Sequence, residues 1–385
     1  MHRPATLTSR KRTKTFANGA KTLPRNYFVS LEIFADEREK IFFKQWLVVG
    51  HQSQIANAGD YLVAEVADES LIIARDQQGA IRGFYNVCRH RGTRLKEDAC
   101  GHASAIQCPY HAWTYGLDGR LIGAPHMDEV PGFDKAEYSL HPVNLGLWEG
   151  FIFVNLVPKR DGSLSIEDWF APLAGKFSHW NMSVLQPAKR IEYDVRANWK
   201  LMFENYSECY HCPGVHPQLQ KVSSYDSAEN DLREGPFLGG FMKINPGKSL
   251  TMSGNACALM IEHEHGQKHD KESTQRVFYY SIFPNMLLSM HPEYVMVHRL
   301  WPQSPERTLI VCDWLFHPDA ASGRGGVPFN PEDAIEFWDM TNKQDWHVCE
   351  LSQQGIASRA YEPGPYSSRE SIPAAWDENY LRMMR

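Results

Sequence analysis

Apolar and polar residues change period along this chain. Glu32 to Trp46 carries Ile33, Phe34, Ile41, Phe42 and Trp46 among charged residues, a spacing that predicts a helix. From Val48 to about Leu156 the texture becomes short alternating runs, with strands predicted at Tyr61–Val66, Leu71–Ala74, Ile81–Tyr85 and Gly150–Asn155. Turn formers at Asp76–Gly79 and Asp118–Gly119 punctuate them, as in a small antiparallel β domain.

The second half mixes longer helical periods with β-branched and aromatic runs. Arg276–Phe283, Tyr294–Pro302 and Thr308–Phe316 read as consecutive antiparallel strands. Asn330 offers an N-cap, Pro331 suits the first helical position, and Glu332 and Asp333 favour the positive end of a helix dipole. That helix is expected to run to Gly355. The fold class is α+β, a small antiparallel β domain followed by an antiparallel sheet with packed helices. The Pro- and charge-bearing stretch Val157–Ser165 marks the expected boundary. It gives an N-terminal arm and helix over 1–45, the β domain over 46–157 and a second domain over 158–385.

Composition adds exclusions. With 43% apolar and 22% charged residues the chain is of globular type, and 385 residues suffice for two cores. A formal net charge of −6 argues against general nucleic-acid binding, and no window is apolar enough to span a membrane. Met1 to Ser30 has no acidic residue but carries Arg3, Arg10, Lys11, Arg12, Lys14, Lys21 and Arg25. It lacks the apolar core of a secretory signal, which leaves an organelle-targeting segment or a basic arm lying on the protein. The eight cysteines do not form a secreted disulfide framework and read as reduced thiols of a cytoplasmic protein.

Two of those cysteines have a better explanation as ligands. Cys88-Arg-His90 is separated by seventeen residues from Cys108-Pro-Tyr-His111. Two thiolates for one iron and two imidazoles for the other is the donor set of a Rieske [2Fe-2S] cluster, whose neutral imidazoles raise its potential above that of an all-Cys cluster. A mixed zinc site is the closest alternative, although zinc fingers carry Cys–Cys and His–His pairs. Chance placement of a buried Cys and a structural His is the other.

A second constellation runs from Asn198-Trp-Lys through Glu208 and His211 to His216. Pro213 and Gly214 lie between the histidines, so the helix is expected to carry His211 near its end, break, and return His216 to the same point. Glu208, three residues before His211, would share its helical face. Two imidazoles and one carboxylate with open positions suit ferrous iron. At about 100° per residue, Asp345 falls in the middle of the side bearing Ile335, Trp338, Asn342, Val348 and Cys349, where a carboxylate is costly unless paired or metal-bound. Asp345 is the expected third ligand and Asp339 the reserve. A salt-bridged Asp345, structural histidines, or a redox or zinc role for the C-x-x-C sequence Cys209–Cys212 are the alternatives.

Over nearly its whole length the chain resembles the α subunit of Rieske non-haem iron oxygenases. The resemblance implies a Rieske domain joined to a helix-grip catalytic domain, assembled as a homotrimer, with one [2Fe-2S] cluster and one mononuclear Fe(II) per subunit. NAD(P)H would act through a separate reductase. Glu208 stands where the family has a carboxylate, commonly Asp, that bridges a cluster histidine to an iron histidine of the neighbouring subunit. Glu there, Glu208-Cys-Tyr-His211-Cys and the 354–367 stretch look like the branch acting on quaternary amines, such as the betaine and stachydrine enzymes. The helix around Asp345, with Trp346, His347 and Cys349, matches that branch less closely. The expected reaction uses O₂ to hydroxylate an N-methyl group, giving a carbinolamine that loses formaldehyde. Aromatic ring hydroxylation is the runner-up within the class, and a Rieske electron carrier without catalysis the alternative outside it.

Overall fold

The computed structural model describes residues 19–158, 164–260, 273–322 and 327–385. Most of the basic N-terminal residues, and 159–163 of the expected boundary stretch, lie outside these. The chain divides into two compact units, one of Phe42–Phe177 with Met182–Val184, the other of Met1–Ile41, Ser178–Asn181 and Leu185–Arg385.

The N-terminal helices α1 (Asn26–Val29) and α2 (Leu31–Glu37) belong to the second of these units. Ser30 caps α2 by accepting from Ile33 N. The single helix expected to run to Trp46 is α-helical to Glu37 and continues as a wider π-helical segment over Arg38–Phe42, ending about one turn short of Trp46.

The sheets of the first unit are all antiparallel. Its strands are β1 (Leu47–His51), β2 (Asp60–Val66), β3 (Glu69–Arg75), β4 (Ile81–Tyr85), β5 (Cys100–His102), β6 (Ile106–Gln107), β7 (Thr114–Tyr115), β8 (Leu121–Gly123), β9 (Asn144–Trp148) and β10 (Phe151–Asn155). They pair as sheets of order β1-β10-β9, β4-β3-β2-β5 and β6-β7-β8. A core of Ile72, Phe84, Leu95, Ile106, Trp113 and Tyr115 joins the last two and also buries Cys88 and Cys108. The chain leaves this unit later than the Pro- and charge-bearing stretch suggests. Helix α3 (Ile166–Phe170) packs back on it, with Phe170 stacked on Trp148 at 4.3 Å.

The second unit is built on one seven-stranded antiparallel sheet, of order β11-β17-β16-β15-β14-β13-β12. Strand β11 (Gln186–Val195) leads into α4 (Trp199–Tyr206), the short α5 (Cys212–Val215) and α6 (Leu219–Val222), then β12 (Glu229–Leu232) and β13 (Phe237–Lys243). A meander follows, of β14 (Arg276–Ile282), β15 (Met286–Met290), β16 (Tyr294–Ser304) and β17 (Arg307–Phe316). The chain ends in α7 (Pro331–Ile356) and α8 (Ser371–Met383). Strand β15 separates two of the strands expected to be consecutive; Met-Leu-Leu-Ser-Met is buried at every position and shows no alternation. Helix α7 has the expected extent, but Asn330 makes no side-chain cap. In its first turn the Asp333 carboxylate instead accepts from Ser253 N and Oγ. Both α7 and α8 pack on α4, and α7 also lies on β11. No helix among the described residues is long and apolar enough to cross a membrane.

Candidate metal centres and substrate cavity

In the first unit the two Cys/His segments form loops of one design. Cys88 N bonds Thr93 O and Gly92 N bonds Cys88 O; likewise Cys108 N bonds Trp113 O and Ala112 N bonds Cys108 O. The fifth residue of each loop has a left-handed backbone, Gly92 at φ 75° and Ala112 at φ 56°. Glycine adopts that conformation freely, whereas Ala112 holds it against its Cβ. Both cysteines are 2% exposed, while His90 is exposed and His111 half-buried. Buried sulfur donors beneath outward imidazoles are what a cluster needs if electrons are to cross at its histidine edge. His90 stacks flat on Trp113 at 4.7 Å, and His111 on Tyr110 at 3.7 Å, so both rings are held by packing. The Tyr115 hydroxyl accepts from Arg89 N (3.0 Å) and so has its own hydrogen free for Cys88 Sγ, 3.3 Å away. Cys88 and Cys108 are free of any disulfide, and the donor set fits a [2Fe-2S] cluster.

In the second unit Asn198 caps α4 through Lys200 N, and the helix ends at Tyr206, before His211. The expectation that Glu208 and His211 share one helical face is therefore corrected. Ser207 closes the helix, and the Glu208 carboxylate accepts from the backbone N–H groups of Tyr210 and His211, which turns the chain. His211 precedes α5, where Pro213 is accommodated in the first turn, and His216 follows it. The return of the second histidine takes place as expected, over one short helix.

Three donor atoms converge. His211 Nε2 and His216 Nε2 are 3.1 Å apart, and Asp345 Oδ1 lies 3.3 Å from the first and 2.9 Å from the second. Donors on one face of an octahedron with bonds of about 2.1 Å are separated by about 3 Å, so this triangle fits a facial two-histidine, one-carboxylate site. Each imidazole is fixed through its other nitrogen: His211 Nδ1 on Glu208 Oε1 at 2.6 Å, His216 Nδ1 on Gln344 Oε1 at 2.8 Å. Both Nε2 lone pairs are thereby aimed at the shared point. Burial works to lower the His211 pKa, but hydrogen bonds from Asp345 and Glu208 outweigh it and bring it up to about 10. Burial likewise opposes ionisation of Asp345, and the two histidines hold it at about 2. The surroundings are built for positive charge at that point.

Asp339, the reserve ligand, does not reach this point; it accepts from Tyr193 OH at 3.0 Å and Lys343 Nζ at 2.6 Å. Cys212 Sγ is 3.9 Å from His211 Nε2, but it is joined to Cys209 in a disulfide and lacks the thiolate a metal would need. The reading of these two cysteines as reduced thiols is corrected as well. Three residues apart on a tight turn, their Cα atoms lie 5.0 Å from each other, within bonding range.

A cavity of about 100 Å³ opens beside the triad. Tyr206, Tyr279 and Trp338 line it with rings nearly perpendicular, Tyr206 to Tyr279 at 5.9 Å and 83°, Tyr279 to Trp338 at 6.3 Å and 71°. Its acidic lining residues are Glu208 and Asp345, with no Lys or Arg among the described ones. The Trp338 indole N–H is engaged by Tyr294 OH at 2.7 Å. His298, also in the lining, is kept neutral by burial, its pKa lowered to about 4.

The Rieske [2Fe-2S] domain family matches residues 45–134, and the family described as ring hydroxylating alpha subunit (catalytic domain) matches residues 182–385. The chain belongs to the ring-hydroxylating alpha-subunit family. It is 33% identical to the glycine betaine monooxygenase oxygenase subunit of Chromohalobacter salexigens, over 91% of this chain and 82% of that one. It is 38% identical to the carnitine monooxygenase oxygenase subunit of Escherichia coli, over 89% and 86%. A solved quaternary ammonium Rieske monooxygenase, studied for carnitine oxidation and inter-subunit electron transfer, superposes with a TM-score of 0.80 at 26% identity, covering 98% and 99%. As a member of this family the oxygenase is an oxidoreductase with a Rieske domain and a non-haem iron catalytic domain, supplied with electrons by a separate reductase. Sequence reasoning missed Gln344 in this oxygenase: it sits about 100° around α7 from Asp345, and no apolar period marks it.

Proposed function

We propose that this oxygenase hydroxylates an N-methyl group of a small quaternary ammonium compound such as a betaine, which then loses formaldehyde. The observation that carries this reading is the aromatic lining beside the triad. A quaternary ammonium cannot be hydrogen-bonded, but the faces of Tyr206, Tyr279 and Trp338 attract it. The described lining residues include no Lys or Arg to repel a cation. The named activities of the glycine betaine and carnitine relatives point the same way.

In this reading Cys88 and Cys108 hold one iron of the cluster and His90 and His111 the other. His211, His216 and Asp345 hold the ferrous ion. When bound, the cluster would supply single electrons and the ferrous ion would activate O₂ beside the substrate. Glu208 and Gln344 orient the two imidazoles through Nδ1. The aromatic walls hold the cation so that a methyl group faces the triad, and the buried lining excludes water. Glu208, at the surface end of its turn, links the iron of one subunit to a cluster histidine of the next in a homotrimer, in the cytoplasm.

Oxygen consumption and formaldehyde release, measured with a surrogate reductase across glycine betaine, carnitine, choline and aromatic acids, test the reading. Formaldehyde in step with oxygen uptake on an ammonium substrate is the expected result. Hydroxylation of an aromatic acid while the ammonium compounds yield no product overturns it.

A further inference from the structure

Glu204, near the end of α4, is half-buried and Asp377, on α8, is buried; each has one carboxyl oxygen closed to solvent, and the two side chains are hydrogen-bonding neighbours. Glu204 Oε1 and Asp377 Oδ1 find no donor in their surroundings. The other Asp377 oxygen accepts from Tyr366 OH at 2.7 Å. The nearby ammonium, Lys200, is fully buried and committed elsewhere: its Nζ lies 2.5 Å from Glu37 Oε1. Tyr380 OH also donates to that oxygen at 2.6 Å, and Trp199 Nε1 to Glu37 Oε2 at 2.9 Å. Three carboxyl groups, two of them buried and the third with one oxygen closed to solvent, therefore face one cation. Full ionisation would leave two uncompensated charges side by side and two solvent-shielded acceptor oxygens without a donor.

We propose that Glu204 and Asp377 share a proton, and that this acid pair seats the end of α4 from which the chain runs on to Glu208 and His211. One proton between the two orphan oxygens turns a repulsive contact into a charge-assisted O–H···O⁻ bond, the strongest class available to carboxyl groups. It ties α8 to the helix that delivers the iron-site segment. The other groups facing the pair agree. Glu370 adds negative charge, while burial keeps Tyr361, Tyr366 and Cys349 protonated and neutral. Burial raises Glu204, and raises Asp377 to about 7, with Lys200 opposing in both cases. The folded chain then retains a proton that the unfolded chain releases above about pH 4. With one extra proton in the folded state, stability falls as pH rises from about 5 towards 7, by about tenfold in the unfolding equilibrium per pH unit. Above the folded pKa the pair is ionised and the seat is lost.

Infrared spectroscopy of the full-length holoenzyme tests the first half of the proposal. A protonated carboxyl band should persist at about pH 6.5, well above the ordinary range of Asp and Glu, and disappear in Glu204→Gln and in Asp377→Asn. No such band, or one that survives both substitutions, overturns the shared proton. Iron release to a ferrous chelator tests the second half. The wild-type protein should release iron about tenfold faster at pH 9 than at pH 6.5. Glu204→Gln should release it at nearly equal rates, because its amide donates to Asp377 without titrating. Equal acceleration in both proteins overturns the seating role, and Asp377→Asn carries the same comparison should Glu204→Gln fail to fold.

Discussion

His216 Nε2 and Asp345 Oδ1 stand 2.9 Å apart across 129 residues of sequence, and His211 Nε2 closes a triangle with them. Replacing Asp345 by Ala removes one donor and the charge that holds both imidazoles in place. Mononuclear iron should be lost and turnover fall by more than about 100-fold. The visible spectrum of the Rieske centre should be unchanged, since Asp345 and the cluster residues belong to different units. Metal analysis beside the spectrum checks this; a normal iron content would remove Asp345 from the ligand set.

Gln344 acts one bond further out. Gln344→Ala frees His216 Nδ1 and lets the ring rotate, so iron affinity should fall by about 10–100-fold. Competition with a ferrous chelator measures the change. Retention equal to wild type would mean that packing alone orients His216.

Tyr115→Phe should lower the reduction potential of the cluster. The hydroxyl donates towards Cys88 Sγ, and that hydrogen bond is stronger when the reduced cluster puts more charge on sulfur. A differential of about 1 kcal/mol corresponds to roughly 40 mV for one electron. A redox titration followed by electron paramagnetic resonance would show the shift, and an unchanged potential would rule the contribution out.

Trp338→Ala opens one wall of the aromatic lining. KM for a quaternary ammonium substrate should rise by about 3–30-fold, matching about 0.5–2 kcal/mol of cation–π attraction. The control is an uncharged tert-butyl isostere used as inhibitor, whose affinity should change far less. Equal losses for both would assign Trp338 to shape rather than charge.

Strands β2 to β4, β10, β14, β16 and β17 and the length of α7 were legible where their periods are local, whereas β1, β5 to β9, β11 to β13 and β15 were not. Strand β4 occupies Ile81–Tyr85 as the alternation indicates, and Asp345 could be singled out because 100° steps around α7 place it among apolar neighbours. What escaped was decided at a distance. Helix α2 widens after Glu37, whose carboxylate meets Lys200 and Tyr380, residues 163 and 343 positions away. Asp339 looked like an alternative ligand until Tyr193, from β11, was found to occupy it. The end of α4 before Glu208 and the Cys209–Cys212 bond arise from a turn whose carboxylate bonds its own backbone, which no apolar period records.

The two-unit division also sets an order of assembly. All four cluster donors have been synthesised by residue 111, and the unit around them includes nothing beyond residue 184. Domains fold as they emerge, N-terminal first. The iron site is incomplete until Asp345 is made, and Glu37 waits for Tyr380 near the last turn of α8. Helix α2 is thus synthesised early and its Glu37 engaged last, with cluster insertion free to precede iron loading.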